Sequence, residues 1–225
     1  MRRTVAAAFV AASSLLVLIP SYSQAAPAPT DKHHAAPSHH QATTRPYLDD
    51  VLGKKKGQGL AAEANKWPSA KLTWKLDHYS SRPDLRGKQD EVENALAKAL
   101  NTWAKVSKLR FTKTTGSQAN IKIGFYTGGH GDNAPFDGQG GVLAHAYEPQ
   151  WGMLHFDDRE PWSTTTQSGR TNLNSVALHE LGHILGLSHS ANPKSIMYPY
   201  YTGPKTTLGK EDIQRIQALY GAPVR

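Results

Sequence analysis

The sequence predicts an α+β domain in which a five-stranded sheet is covered by three helices. Two patterns lead to this fold class. Short runs with the composition and spacing of strands recur between residues 71 and 156, and three other stretches repeat apolar residues at helical spacing. These patterns begin near Lys66 and occupy about 160 residues, which is a usual size for a single domain.

The strands are predicted from short runs of β-like composition. In KLTWKL, residues 71–76, polar and apolar residues alternate, as expected for a strand with one buried face. The other predicted strands are 108–113, 120–126, 141–147 and 153–156.

The helices are predicted from apolar spacing and from signals at their ends. The first has one apolar face, formed by Val92, Leu96, Ala99, Leu100, Trp103 and Val106. A second helix is expected over about 174–187 and a third over about 210–220, with Glu211 and Asp212 in its first turn. Gly221 follows the third helix, at a position where glycine commonly ends one.

The first 60 residues differ in character from the predicted domain, residues 61–225. Two arginines precede a short apolar run and the small residues SQAA, an order typical of a secretory signal peptide. We therefore expect residues 1–25 to be removed and the protein to be secreted, into an extracellular matrix or to a cell wall. The apolar run is too short to span a bilayer, so no membrane anchor is expected. Residues 26–60 are predicted to be a flexible, propeptide-like segment.

Charge and cysteine content narrow the function classes. The net charge of +8 can favour acidic partners, but a solvated basic surface is the simpler interpretation. No basic stretch is interleaved with aromatic residues, so we expect no nucleic-acid partner. The chain has no cysteine, which excludes disulfides and thiolate metal ligands.

The run LHELGHILGLSH carries the strongest chemical signal. His179 and His183 are four residues apart, so on a helix they face the same side and can hold one zinc ion. Glu180 points about 100° away, which suits a general base acting on zinc-bound water. Gly186 can end the helix and let His189 return as a third ligand. Three ligands and one open position form a catalytic zinc site.

A buried helix with hydrogen-bonded histidines is the alternative interpretation, but the complete spacing HExxHxxGxxH favours zinc. This run resembles the signature of the metzincin metallopeptidases, and Ser190 after it resembles the matrixin branch, the matrix-metalloproteinase-like enzymes. The stretch SIMYPYY resembles the family's Met-turn, in which Met197 forms a floor beneath the zinc. The resemblance implies a twisted, mixed five-stranded sheet with three helices and zinc in the cleft. It also places Pro199 and Tyr201 in the wall of the S1′ pocket.

The stretch from His130 to Trp162 holds a second group of potential metal ligands. Four nitrogen or oxygen donors suit a closed, structural zinc site: His130, Asp132, His145 and His155. Acids near glycines in the same stretch suit calcium, and a solvated polar loop is the alternative.

This second stretch resembles the zinc and calcium loop of the matrixins. The resemblance implies that the same four residues hold a structural zinc. It implies a calcium site formed by the side chains of Asp137, Asp157 and Glu160 and the carbonyls of Gly138, Gly140 and Val142. Asp84 and Asp158 are candidates for a further calcium. Relatives often carry a glycine-rich, calcium-binding stretch that ends in Asp, but this chain has the shorter PQWGML, so that site is expected to be missing. Two zinc ions and at least one calcium ion are therefore expected.

The resemblance implies a monomeric zinc endopeptidase that hydrolyses peptide bonds of extracellular proteins. Its substrate is expected to bind as an extended strand beside Ala144.

Animal relatives are commonly kept latent by a propeptide cysteine, which this chain lacks. A carboxylate of Asp49 or Asp50 is our alternative zinc ligand in the precursor, and two simply solvated acids are the competing interpretation. The run KKK at 54–56 is a predicted processing region.

Two other functions compete with the endopeptidase. A catalytically inactive binding module could use the metals for stability, although Glu180 and all three ligands are retained. A metal-storage protein could use the histidines of the N-terminal segment, in which case removal of residues 26–56 would abolish metal binding.

Overall fold

The computed structural model describes residues 65–224 and the backbone of a short strand at Arg45–Pro46. The predicted signal peptide, residues 1–25, and the predicted latency residues Asp49 and Asp50 lie outside the described residues. None of the described helices combines the length and the apolar character that crossing a membrane requires.

The described residues form nine strands and three helices. The strands are β1 (Arg45–Pro46), β2 (Lys71–His78), β3 (Arg110–Lys113), β4 (Ile121–Tyr126), β5 (Ala144–Ala146), β6 (Met153–Asp157), β7 (Trp162–Ser163), β8 (Thr171–Asn172) and β9 (Tyr200–Tyr201). The helices are α1 (Gln89–Lys105), α2 (Leu173–Ile184) and α3 (Lys210–Tyr220).

Five of these strands form the main sheet, in the order β3-β2-β4-β6-β5. Neighbouring strands run parallel, except that β5 runs antiparallel to β6. The predicted α+β fold with a mixed five-stranded sheet and three helices is therefore confirmed. The short ladders β1-β9 and β7-β8 lie outside this sheet.

One apolar core joins the sheet to the helices. In β2, Leu72, Trp74 and Leu76 are buried, as the alternation of the sequence predicts. They belong to the same core as the buried faces of α1 and α2. The indole Nε1 of Trp103, a fully buried residue of α1, donates to the carbonyl oxygen of Leu178 at 3.0 Å. This bond ties α1 to the helix that carries the predicted zinc ligands.

Strand β5 is shorter than the predicted run 141–147. The N–H group of Val142 donates to Oδ1 of Asp137 at 2.9 Å, so the backbone just before β5 is bound to a side chain. Regular strand structure begins only at Ala144. The late start of the strand is therefore a consequence of the acidic loop that precedes it.

Helix α2 ends before the predicted residue 187 because the chain turns at Gly186, where φ is 98°. The N–H groups of Gly186 and Leu187 donate to the carbonyls of His183 and Gly182, both at 2.9 Å, which is a Schellman motif. A Cβ on Gly186 would lie 2.2 Å from the carbonyl oxygen of Asn65. Both the positive φ and the lack of space therefore require glycine here.

Candidate metal centres and catalytic cleft

Helix α2 brings two histidines together, and the turn at Gly186 adds a third. His179 and His183 face the same side, with their Nε2 atoms 3.1 Å apart. The Nε2 atom of His189 lies 3.2 Å from that of His183. A tetrahedral ion with bonds of about 2.0–2.1 Å separates its nitrogen ligands by roughly 3.3 Å. The spacing of the three predicted ligands therefore fits one zinc ion.

Hydrogen bonds determine which ring nitrogens face the centre of this group. Nδ1 of His179 lies 2.6 Å from the carbonyl oxygen of Ile196, and Nδ1 of His183 lies 2.8 Å from that of Leu187. A carbonyl oxygen only accepts, so each Nδ1 carries the proton and each Nε2 presents a lone pair. Lone pairs that face each other at 3.1 Å repel unless a cation lies between them. The arrangement therefore favours a bound metal ion.

Burial keeps these rings in the neutral form that binds metals. Burial, together with the nearby His183 and His189, holds the pKa of His179 well below its usual value. Burial and the neighbouring His189 lower the pKa of His183 to about 3. Both imidazoles are therefore neutral at neutral pH, and neither Nε2 needs to release a proton when zinc binds.

Glu180 follows the first ligand on α2 and is fully buried. Consecutive helical residues are about 100° apart around the axis. The side chain of Glu180 therefore leaves the helix next to the face that carries His179 and His183, and not on that face. A buried carboxylate in this place can exchange a proton with a water molecule at the open position of the site.

The predicted Met-turn packs directly against the ligand helix. Ile196 supplies the carbonyl that orients His179. The buried carboxylate of Asp212, in the first turn of α3, accepts from the N–H of Ile196 at 2.9 Å and from the hydroxyl of Ser195. The N–H of the fully buried Met197 donates to the Ser195 hydroxyl oxygen at 2.9 Å. Helix α3 therefore positions His179, a predicted zinc ligand, through the predicted Met-turn.

Two acids of α3 support the site in ways that the sequence did not reveal. Asp212 was expected only as an acid in a first helical turn, where acids are common, so no local signal marks its buried role. Glu211 accepts from the hydroxyl of Ser190 at 2.7 Å and from the side-chain amide of Asn192 at 3.1 Å. The bond from Ser190 lowers the pKa of Glu211. These contacts anchor the loop that follows His189.

The sulfur atom of Met197 packs against Gly182, which lies between the two ligands of α2. A Cβ at Gly182 would lie 2.3 Å from this sulfur and 3.2 Å from Cζ2 of Trp103. We therefore expect Gly182→Ala to overpack the helix and to lower the free energy of unfolding by about 1–3 kcal/mol in chemical denaturation. Gly129→Ala is the control, because a Cβ there meets no atom within 4 Å. Equal stability of the two variants would contradict this packing.

A second cluster joins the loop before β5 to strands β5 and β6. Oδ2 of Asp132 lies 2.8 Å from ring nitrogens of His130, His145 and His155. Nδ1 of His155 lies 3.1 Å from Nε2 of His130 and 3.2 Å from Nε2 of His145. The register of the sheet places His145 directly opposite His155. The structure thus brings the four predicted ligands together at the spacing of a closed tetrahedral zinc site.

The protonation states of this cluster also suit zinc. Burial raises the pKa of Asp132, but hydrogen bonds from the N–H of Ala134 and from His145 and His155 outweigh it and hold that pKa well below its usual range. Burial lowers the pKa of His155 to about 4 and also lowers the pKa of His145. A carboxylate beside the neutral imidazoles of His145 and His155 belongs to a donor set that zinc accepts.

The three acids of the predicted calcium site converge on one loop. Asp137, Asp157 and Glu160 each accept a hydrogen bond from a backbone N–H of residues 138–142, at 2.9, 3.2 and 2.7 Å. Burial, with the charges of Glu160 and Asp137, raises the pKa of Asp157. Such clustered negative charge suits a hard cation. Among residues 65–224, however, the groups with three or more donor atoms within 4.8 Å are the two zinc clusters, so calcium stays a prediction.

The structure does not support a further calcium at Asp84 and Asp158. Asp84 contacts two guanidinium groups, at 3.3 Å from Arg82 and 2.7 Å from Arg170. Burial opposes the effect, but the bonds from these arginines lower the pKa of Asp84. The carboxylate of Asp158 accepts from the N–H of Ser81 at 2.9 Å and from its hydroxyl at 2.7 Å. Both carboxylates are therefore held by other groups.

Two segments carry the predicted substrate-binding residues. Ala144 is buried at the start of the edge strand β5. Pro199 and Tyr201 are half-buried, and the hydroxyl of Tyr201 accepts from the N–H of Asn172, the N-cap residue of α2, at 3.1 Å. Strand β9 pairs antiparallel with β1, so that Arg45 lies opposite Tyr201. The backbone of Arg45–Pro46 therefore lies beside the predicted S1′ wall.

Comparison with known proteins adds an independent finding to this geometry. The family model described as matrixin, a peptidase family, matches residues 66–221. Macrophage metalloelastase of Rattus norvegicus is 46% identical over 169 residues, which cover 72% of this chain and 35% of the relative. Interstitial collagenase of Sus scrofa is 45% identical over 161 residues, and neutrophil collagenase of Homo sapiens is 44% identical over 162; each alignment covers 69% of this chain and 33% of the relative. The chain therefore spans about a third of the length of these relatives.

Proposed function

Because the chain belongs to the matrixin branch of the metzincin peptidases, we propose that it is a secreted, zinc-dependent endopeptidase of extracellular proteins. The observation that carries this proposal is the group of three imidazoles on α2 and its turn, whose Nε2 atoms lie close together, with the buried Glu180 next to His179 in the chain. Three protein ligands with a fourth position left for water or substrate characterise catalytic zinc sites, whereas structural sites have four.

The chain's own residues supply orientation and proton transfer. Bound zinc would supply a Lewis acid that polarises the peptide carbonyl and lowers the pKa of water. Glu180 takes a proton from the attacking water and later donates it to the nitrogen of the leaving group. Ile196 keeps the ring of His179 in one tautomer and orientation while this happens.

The substrate binds between β5 and the segment that contains Pro199 and Tyr201. Because β5 is an edge strand, an extended peptide can add to it through main-chain hydrogen bonds beside Ala144. Our proposal also includes a monomeric enzyme with a second, structural zinc at the Asp132 cluster. At least one calcium is held by Asp137, Asp157 and Glu160, with the carbonyls of Gly138, Gly140 and Val142 completing its ligands.

The test is digestion of casein or gelatin by the purified protein, with and without a zinc chelator. Cleavage that stops on chelation and returns with added zinc supports the proposal. Cleavage that is insensitive to chelation contradicts it. A zinc-loaded protein that cleaves neither substrate favours the inactive, metal-stabilised binding module.

Latency is proposed to depend on Asp49 or Asp50, which replaces the missing cysteine as a zinc ligand in the precursor. The pairing of β1 with β9 supports this idea, because it places Pro46 opposite Tyr200, next to the predicted S1′ wall.

Asp49→Asn and Asp50→Asn precursors, alone and combined, test this switch. We expect at least one variant to hydrolyse a fluorogenic peptide about tenfold faster than the unprocessed wild type, because a neutral amide binds zinc more weakly than a carboxylate. The processed forms of all proteins should have equal activity, which serves as the control. Precursors that stay as latent as the wild type would eliminate both acids.

A further inference from the structure

The outer edge of β5 has two residues whose backbone groups point away from the sheet. The N–H of Asp157 donates to the carbonyl of Leu143, and the N–H of Tyr147 donates to the carbonyl of Met153, both at 2.9 Å. In an antiparallel pair, alternate residues bond to the partner strand and those between them point outward. Leu143 and Tyr147 therefore face β6, and the N–H and carbonyl groups of Ala144 and Ala146 face the open edge.

An added strand has a defined direction along this edge. Antiparallel pairing is somewhat more stable per residue than parallel pairing, so we take the peptide to run opposite to β5. If one peptide residue lies beside Ala144, the residue two positions closer to the peptide's N-terminus lies beside Ala146. Four to six positions upstream, the peptide reaches the turn at residues 148–152, which follows β5.

This turn is held in place by contacts on several sides. The N–H groups of Trp151 and Gly152 donate to the carbonyl of Glu148, at 3.2 and 3.4 Å, and the carboxylate of Glu148 accepts from the side-chain amide of Asn65 at 3.0 Å. Gly152 has a φ of 60°, and a Cβ there would lie 2.0 Å from the carbonyl oxygen of Asn120. The backbone of the turn therefore has little freedom to fold away from the edge of β5.

Trp151 is the one large apolar side chain that the anchored turn presents to solvent. It is 65% exposed, compared with 43% for Tyr79 and 44% for Tyr200, the other strongly exposed aromatic residues of the described chain. An indole ring loses little conformational entropy on binding and offers a large apolar face. A tryptophan on an anchored turn, at the end of an open strand edge, is suited to contact an apolar side chain of a peptide on that edge.

We propose that Trp151 forms a distal substrate subsite, which binds an apolar side chain about four to six residues on the N-terminal side of the peptide residue beside Ala144. The inference rests on the proposed endopeptidase function, because it takes the open edge of β5 as the substrate-binding strand. In this proposal Trp151 helps to determine which peptides are cleaved efficiently. It takes no part in the chemical step, which occurs at the zinc site.

The test uses quenched fluorescent peptides and the full chain, activated by limited proteolysis where the precursor is latent. A short peptide carries three residues before the scissile bond. Two long peptides add four upstream residues, with leucine at the distal positions in one and serine in the other. We expect the wild type to have at least fivefold higher kcat/KM for the leucine peptide than for the serine peptide. Trp151→Ala should remove this preference and leave the short peptide unchanged, whereas Trp151→Phe should keep most of it.

Tyr79→Ala is the matched control, since it removes another exposed aromatic side chain that contacts Glu93 of α1 instead. The subsite is overturned if Trp151→Ala keeps the leucine preference, or if it slows the short and long peptides equally. A third long peptide carries the four added residues, with their leucines, on the C-terminal side; the subsite is also overturned if only this peptide is cleaved faster, which would indicate the opposite strand direction. If the zinc-loaded wild type failed to cleave the short peptide, that result would instead contradict the proposed function, and with it the subsite.

Discussion

Glu180→Ala is expected to reduce the rate of peptide hydrolysis by about 10²–10⁴-fold, which is the usual contribution of a general acid–base group. The substitution removes the only group that we assign to proton transfer. It leaves the ring nitrogens of His179, His183 and His189 and their spacing intact. The variant should therefore bind as much zinc as the wild type and unfold cooperatively. The measurement is kcat/KM on a fluorogenic peptide, together with zinc content and a thermal melt.

Two further variants distinguish the loss of the general base from the loss of the zinc-binding site. Glu180→Gln keeps the size of the buried side chain but cannot accept the proton, so it should be as inactive as the alanine variant. His183→Ala removes the central ligand of the α2 group and should lose zinc and activity together. A Glu180→Ala protein that keeps more than a tenth of the wild-type activity at equal zinc content would show that another group is the base.

His145→Ala is expected to destabilise the whole domain, with a fall in Tm of about 10 °C or more. The variant removes one of four ligands and leaves the carboxylate of Asp132 half-buried with fewer partners. Loss of a hydrogen bond to a charged group costs about 1.5–3 kcal/mol, and the free energy of metal binding is lost in addition. For a domain of this size, 1 kcal/mol corresponds to about 2–4 °C. Differential scanning fluorimetry with and without added zinc measures the effect.

His78→Ala is the matched control for this variant. His78 is the one described histidine outside both clusters; its Nδ1 lies 2.6 Å from the carbonyl of Phe125, and its ring stacks on Tyr126. Its loss should lower Tm by only a few degrees and leave the zinc content unchanged. If His145→Ala melted at the same temperature as His78→Ala, the Asp132 cluster would not be a structural metal site.

The convergence of the three histidines could be predicted because it depends on local geometry. Helical periodicity alone places His179 and His183 on one face, and the conformational freedom of Gly186 permits the return of His189. The alternation in β2 and the apolar face of α1 likewise depend on neighbours within a few residues. For these elements the local sequence pattern and the tertiary fold favour the same secondary structure and the same buried face.

The remaining features depend on residues far apart in the chain. The pairing of Asp84 with Arg170, 86 positions away, could not be predicted from the sequence. Asp212 supports the Met-turn only because α3 returns to it. The second zinc cluster could be assigned from its resemblance to relatives, but its geometry depends on the pairing of β5 with β6. The short strands β7, β8 and β9 have too few residues to show a period.

The most direct test of the zinc-peptidase account is the number of zinc ions per chain, measured on purified protein by elemental analysis and followed by stepwise removal and return of the metal. We predict two zinc ions per chain, no peptide hydrolysis by the metal-free protein, and recovery of activity when zinc is returned. Removing residues 26–56 should leave both ions bound. A protein that holds no zinc, or that cleaves peptides at full rate after its zinc has been removed, would contradict the account.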